Sequence, residues 1–478
     1  MSARRKAVIL VSCCLSLLIV SMDATIVNVA LPSIRDDLAA TPAQLQWVVD
    51  IYTLVLASLL MMAGAAGDRL GRRRVFQTGL AVFALGSLAC SLAPSIEALI
   101  AARLLQGVGG SMLNPVALSI ISQFFTGRME RARALGVWGA VVGISMSLGP
   151  IVGGLLIETI GWRSVFWINL PICAAAIALT ALFVPESRSM TMRGIDPAGQ
   201  LLAMVFLFGV VYTLIEGPVL GWSSPRVLVS ACGAVLAFAA FLAHESRRVD
   251  PFLDLRFFRS IPFTAAVINA VSAFAAWGAF LFMMSLYLQG ERGFSAMQTG
   301  LVYLPIAVGA LLFSPLSGRL VGRYGARPSL VMAGTLIAGA STILTFLTAT
   351  TPVWSLLIVF AVFGIGFSMV NAPITNSAVS GMPVDRAGAA SAVTSTSRQV
   401  GVSIGVALCG SVAGVAMAPG GAGFAAAAHP LWYICIGLGL VILVNGLYST
   451  SPRAMRSADR LAPLIEGTPA TQEAAGGR

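Results

Sequence analysis

A chain of 478 residues in which AVILMFWYC supply 57 % and charged residues only 10 % falls far short of the about 25 % charge of a soluble domain. With a mean hydropathy of +0.89 it lacks the polar surface to wet several soluble domains, so its bulk belongs in lipid. The net charge of +11 does not indicate nucleic acid, because the basic residues fall singly between apolar runs rather than clustering on a soluble face.

A helix needs about 20 apolar residues, at about 1.5 Å each, to cross about 30 Å of hydrocarbon. Fourteen windows meet that requirement in chain order: 7–31, 44–66, 75–93, 96–122, 133–157, 164–184, 197–216, 226–243, 262–288, 297–317, 328–349, 353–375, 391–415 and 428–449. The first has the basic head and apolar core of a signal peptide, but no small-residue cleavage site follows, so it reads as an uncleaved span. Basic residues test the count, since they accumulate in cytoplasmic loops. Arg69, Arg72, Arg73 and Arg74, then Arg319, Arg323 and Arg327, fall on one side, whereas the other holds only Arg35, Arg163, Arg226 and Arg292. Both termini are therefore expected in the cytoplasm.

An internal repeat sets the architecture. GVGGSMLN at 107–114 returns as GIGFSMVN at 364–371, and DRLGRRR at 68–74 returns as GRYGARP at 322–328. Span 4 thus corresponds to span 12 and span 2 to span 10, as in transporters built from duplicated bundles. The expected fold is an all-α integral membrane protein: an N-terminal six-helix bundle (1–187), two inserted helices with connectors (188–254), a C-terminal six-helix bundle (255–450) and a disordered cytoplasmic tail (451–478).

Several functions are excluded. A Walker P-loop requires a lysine after its glycines, and the only lysine is Lys6. His244 and His429 fall at expected loop positions, and the seven cysteines lie inside apolar stretches without CxxC spacing. These patterns argue against an enzyme, a metal site or a bound cofactor.

Charges inside spans are costly and point to function. Asp23, Asp50 and Arg103 lie about 9–14 Å from the outer ends of spans 1, 2 and 4 at about 1.5 Å per residue. On span 4, Arg103, Gln106, Gly107, Gly110 and Asn114 share one face, as Ser12, Ser16 and Asp23 do on span 1. Such stripes belong against a water-filled cavity or another helix. Functionally, Arg103 would hold one carboxylate ionised while the other exchanges a proton with the cavity; structurally, the same residues would be a static buried pair. The second half has Trp277, Leu304 and Phe360 at the matching positions, so the coupling site is expected in the first bundle alone. Span 9 offers Trp277 and neighbouring aromatic and methionine side chains as a wall for flat lipophilic cations, with ordinary packing as the alternative.

The motifs SMDATIVNVALPSI (21–34), GAAGDRLGRRR (64–74), AARLLQGVGGS (101–111) and GISMSLGPIVGG (143–154) resemble those of the major facilitator superfamily, in the order that family carries them. The chain looks like its 14-span drug:proton antiporter branch, and WVVDIYTLVLA (47–57) is similar to antiseptic exporters. The resemblance implies a cytoplasmic latch at Gly67, Asp68, Arg69, Gly71, Arg72 and Arg73, with Asp68 at a facing helix N-terminus. It also implies an antiporter motif in span 5 at Gly139, Gly143, Gly149, Pro150, Gly153 and Gly154, where Pro150 removes a helix hydrogen bond and the glycines allow close contact. The implied function is proton-coupled export of lipophilic, cationic drugs across a bacterial plasma membrane by a monomer whose partners are the substrate, protons and the lipid bilayer. Export of one specific antibiotic or metabolite, proton-linked uptake, and a nontransporting scaffold or sensor stay open as alternatives. Glu216 is expected at the membrane interface, and Arg398 is expected to snorkel.

Overall fold

The computed structural model describes residues 3–125, 128–188, 196–248, 253–382, 387–410, 412 and 427–461. Helices make up the fold, and among the described residues there is no strand. The first six are α1 (Ala3–Leu38), α2 (Pro42–Leu70), α3 (Arg72–Ser91), α4 (Ile96–Phe124), α5 (Arg128–Thr159) and α6 (Ser164–Phe183). Then come α7 (Pro197–Leu220) and α8 (Pro225–Glu245). The remainder are α9 (Ile261–Leu286), α10 (Ala296–Tyr324), α11 (Ala326–Leu344), α12 (Val353–Val379), α13 (Ala387–Leu408), α14 (His429–Tyr448) and the short α15 (Pro452–Asp459).

Among the described residues, twelve helices are long and apolar enough to cross a membrane. Two others stand where the fifth and thirteenth spans are expected. In α5 the apolar segment found among the described residues is the shorter Ile144–Thr159. In α13 the run from Ser391 to Arg398 holds only Ala392 and Val393 as apolar residues, before the continuous polar stretch Thr394, Ser395, Thr396, Ser397 and Arg398, which dilutes its hydropathy.

Local sequence explains the ends of the elements. Thr41 caps α2 in a reciprocal capping box with Gln44, Ser95 caps α4 and Asp196 caps α7 through its bond to the Gly199 N–H, each satisfying N–H groups that a helix start leaves free. Neither histidine is in a loop: His429 opens α14, and His244 is helical too. It lies in the last turn of α8, with Nε2 3.0 Å from Asp196 Oδ2, and together with Arg248 it ties the α7–α8 hairpin. The tail also departs from expectation at its start, where Ser451 caps the helix α15; residues 462–478 lie outside the described residues, as do 189–195 and 249–252 of the expected connectors.

In lipid, helices associate through close packing and polar bonds rather than through the hydrophobic effect, and the contacts fall into two sets. One joins α1 to α4, α5 and α6, α4 to α2 and α3, and α3 to α6. The other joins α9 to α12, α13 and α14, α11 to α12 and α14, and α10 to α12. Between them runs a seam where α2 meets α13 and α5 meets α10. Helix α7 lies along that seam against both α2 and α13, while α8 packs on α7.

The seam is closed at the end that carries the α1–α2 turn. There the Gln46 amide donates to the Val406 carbonyl at 2.5 Å, Gln289 donates to the Val29 carbonyl at 3.0 Å, and Ser295 Oγ donates to Glu158 at 2.8 Å. Burial follows the same gradient. Residues 48–58 of α2 are buried, whereas most of 61–70 are half-buried. Likewise most of 401–410 in α13 are buried and most of 391–400 are half-buried.

Candidate functional site

Arg103 and Asp23 meet. One terminal nitrogen of the Arg103 guanidinium pairs with Asp23 Oδ2 and also donates to Gln106 Oε1 at 2.6 Å, while its Nε donates to the Val48 carbonyl at 3.0 Å. The helical spacing that puts Gln106 one turn beyond Arg103 lets its amide donate to Asp23 Oδ1 and to Ser87 Oγ, both at 2.8 Å. Asn169 on α6 completes the ring, donating to Asp23 Oδ1 at 3.1 Å. The Tyr52 ring lies 4.2 Å from the guanidinium carbon, which adds a cation–π contact. Asp23, Arg103, Gln106, Ser87 and Asn169 are all at most 1 % exposed. Five helices thus converge on a single ion pair whose lone pairs and protons are largely met by bonds, the condition under which a buried pair is tolerated.

Asp50 stands apart. It projects from α2 towards α13, not towards Arg103, and it is fully buried with neither oxygen in standard hydrogen-bond geometry to any described residue. The Ser403 hydroxyl of α13 faces it, although that hydroxyl bonds with Thr53 Oγ1 at 2.6 Å. The expected single cavity shared by both acids is therefore two environments: Asp23 inside the first contact set, and Asp50 in the closed part of the seam.

The other expected site residues are distributed unevenly. Trp277 is 2 % exposed and stacks on Phe367 at 4.3 Å between centroids, as Phe280 does on Phe363 at 4.2 Å, so this aromatic group binds α9 to α12. Asn114 is half-buried, with Oδ1 unpartnered among the described residues. Arg398 donates to Thr375 Oγ1 at 2.8 Å and lies 5.9 Å from the Phe274 ring. Trp47 Nε1 donates to Glu216 at 3.0 Å, which joins α7 to α2.

At the basic turn, Asp68 bonds Arg72 one turn on, at 2.9 Å, instead of sitting at a helix N-terminus. Glu186 takes that place, accepting the N–H groups of Arg73 and Arg74 at 3.1 and 3.3 Å, where the free N–H groups and dipole of α3 favour an anion. Gly71 is required twice over: its φ of +111° is in the region that favours glycine, and a Cβ there would stand 2.6 Å from Glu186 Oε1. Gly67 packs against Val116.

The α5 motif serves two neighbours. Gly149 and Gly153 lie against Thr25 and Ile26 of α1, close enough that a Cβ on Gly153 would be 2.8 Å from Ile26 Cγ1. Gly154 faces the seam instead, where a Cβ would be 2.9 Å from Met297 Cα. Pro150 lies within α5, and its carbonyl is in close contact with Gly300. Gly139 and Gly143 belong to the helix, but their surroundings lie outside the described residues.

The sequence matches the family described as Major Facilitator Superfamily over residues 13–406. The chain belongs to that superfamily. This transporter is 38 % identical to the multidrug resistance protein Stp of Mycobacterium tuberculosis, over 86 % of its own chain and 76 % of that protein. It is 39 % identical to the methylenomycin A resistance protein of Streptomyces coelicolor, over 82 % of each. To the tetracenomycin C resistance and export protein of Streptomyces glaucescens it is 35 % identical, over 84 % of this chain and 74 % of that one.

Three participants in the transporter's spans carry no charge to mark them in the sequence: Asn169 and Ser87, which hold Asp23 and Gln106, and Ser403, which faces Asp50. Asn169 carries the clearest signal. It is an amide in an otherwise apolar window, and in lipid an amide needs partners almost as a charge does.

Proposed function

We propose that this transporter exports lipophilic, cationic drugs or antiseptics in exchange for protons, across fourteen spans arranged as two six-helix bundles with α7 and α8 between them. The carrying observation is Asp50, fully buried where the seam is closed, with only the Ser403 hydroxyl facing it and neither oxygen in standard hydrogen-bond geometry among the described residues. An uncompensated buried carboxylate is costly, so the closed seam tolerates Asp50 when a proton or a cation neutralises it. Opening the α1–α2 end would give it water. One carboxylate serves a proton or a cation but not both, and that exclusion couples the two flows.

Asp23 and Arg103 form the second element of the exchange, with Gln106 and Asn169 as the amides that keep Asp23 in place. Asn114 borders the path on the open side, Asp68 with Arg72 and Glu186 control the basic turn, and Gly149, Gly153 and Gly154 let α5 slide against α1 and α10. In the plasma membrane of a bacterium, with both termini in the cytoplasm, the closed end faces outward and the half-buried lower seam receives cargo from within. Rocking of the bundles then alternates access, and one copy of the chain suffices.

Efflux of dyes from energised vesicles tests this reading. Asp50→Asn should lower export of a lipophilic cation about tenfold, a loss of about 1.4 kcal/mol, while a neutral compound is exported as before. Equal loss for both removes Asp50 from the substrate site. A second reading, export of one antibiotic, draws on relatives whose names specify methylenomycin A and tetracenomycin C; a substrate panel scored in cells lacking and overproducing the protein separates it from broad export.

A further inference from the structure

At the end of the molecule where α14 stops and α9 begins, arginines gather on α15 and at the start of α9. Helix α15 puts Arg453, Arg456 and Arg460 at i, i+3 and i+7, on one face, while Ala454, Ala458 and Leu461 are buried beneath it. Ser457 Oγ accepts the Ile261 N–H at 2.9 Å, which pins α15 to the start of α9 and brings Arg259 to the same place. The four arginines and Ser457 line one cleft of about 370 Å³. Among the described residues none of the four has a carboxylate partner, and Asp459 on α15 itself pairs with none of them.

Four like charges around one space repel one another, and an anion between them turns that repulsion into charge-assisted hydrogen bonds. The surroundings specify the kind of anion. Phe258 and Met455 are 37 % and 42 % exposed beside the arginines, and the cleft lies where membrane-crossing helices end, the level of lipid headgroups. We propose that the cleft binds the phosphate headgroup of an anionic lipid. Arg259, Arg453, Arg456 and Arg460 supply the donors, and Phe258 with Met455 rests against the acyl chains. The site is separate from the seam and independent of the direction of transport.

The test is retention of lipid by the purified full chain in detergent, read by native mass spectrometry with phosphatidylglycerol and phosphatidylcholine in parallel. Phosphatidylglycerol should be retained and phosphatidylcholine lost. Arg453→Gln with Arg460→Gln should weaken phosphatidylglycerol more than about tenfold, given about 1 kcal/mol per basic residue at a membrane surface. Arg259→Gln with Arg456→Gln gives a second, independent pair in case the first fails to fold. Arg319→Gln with Arg323→Gln, which removes the same charge elsewhere, should leave retention unchanged. Equal retention of the two lipids, or equal loss in the Arg319 and Arg323 control, overturns the proposal. Displacement of phosphatidylglycerol by an equal concentration of inorganic phosphate reassigns the cleft to a soluble anion and overturns the lipid.

Discussion

Replacing Arg103 with alanine removes at once the ion pair to Asp23, the 2.6 Å bond to Gln106 and the 3.0 Å bond to the Val48 carbonyl. Asp23, at 0 % exposure, keeps the amides of Gln106 and Asn169 but loses its counter-charge. Breaking a buried pair from one side costs about 3–5 kcal/mol, and the bared carbonyl costs about 1–3 kcal/mol more. Together, about 4–8 kcal/mol rivals the whole stability of an ordinary domain, so a steep fall in the thermal midpoint of the detergent-solubilised protein is expected. Asp23→Asn added to Arg103→Gln puts a neutral hydrogen-bonding pair in the same space and removes the uncompensated charge, so stability should return. Transport then separates packing from exchange. A pair that only packs helices lets the double variant pump, whereas a pair that exchanges protons leaves it folded and inert. Vesicle efflux of a cationic dye under a pH gradient reads the difference. A double variant with wild-type stability and wild-type efflux refutes the coupling role.

Asn169→Leu should lower stability by about 1.5–3 kcal/mol, the value of a hydrogen bond to a charged group, because its 3.1 Å bond to Asp23 disappears; an unchanged thermal midpoint contradicts the bond's contribution. Gly154→Val sets a branched side chain against the Ala296 and Met297 backbone, where even a Cβ would be 2.9 Å from Met297 Cα. The seam should then fail to close and efflux should fall about tenfold or more, and wild-type efflux contradicts the closed contact. At Asp196, burial would raise the carboxyl, but the Gly199 N–H, His244 and Arg248 more than offset it and hold it below the usual range. A depressed carboxylate stabilises the fold above its unfolded value of about 3.9 and loses that contribution as pH falls through the lower folded value. The stability advantage of wild type over Asp196→Asn should therefore be full above about pH 5 and shrink below about pH 4; an advantage that persists unchanged to about pH 3 refutes the assignment.

Much of this was legible in the sequence for physical reasons. Apolar length marks a helix in lipid whatever it packs against, so the helices stand close to their expected windows, and the i, i+3 spacing of Arg103 and Gln106 put both at Asp23. What escaped was rotation and partnership. Asp50 sits at a depth similar to Arg103, but depth along a helix does not say which face of α2 turns to α13. Asp68 and Glu186 illustrate the same limit: an acid beside a basic turn is visible in the sequence, whereas the acid that occupies the α3 N-terminus comes from more than a hundred residues away. Asn169 is less visible because an uncharged amide interrupts an apolar window less than a charge does.

The account rests on exchange of a proton for a cation, and paired fluxes in proteoliposomes test it most directly. With purified protein and an imposed pH gradient, movement of a lipophilic cation should be matched by opposing proton flow, and Asp50→Asn should lower the cation flux about tenfold together with the proton flow matched to it. Cation movement that proceeds at full rate with no proton flow contradicts the account.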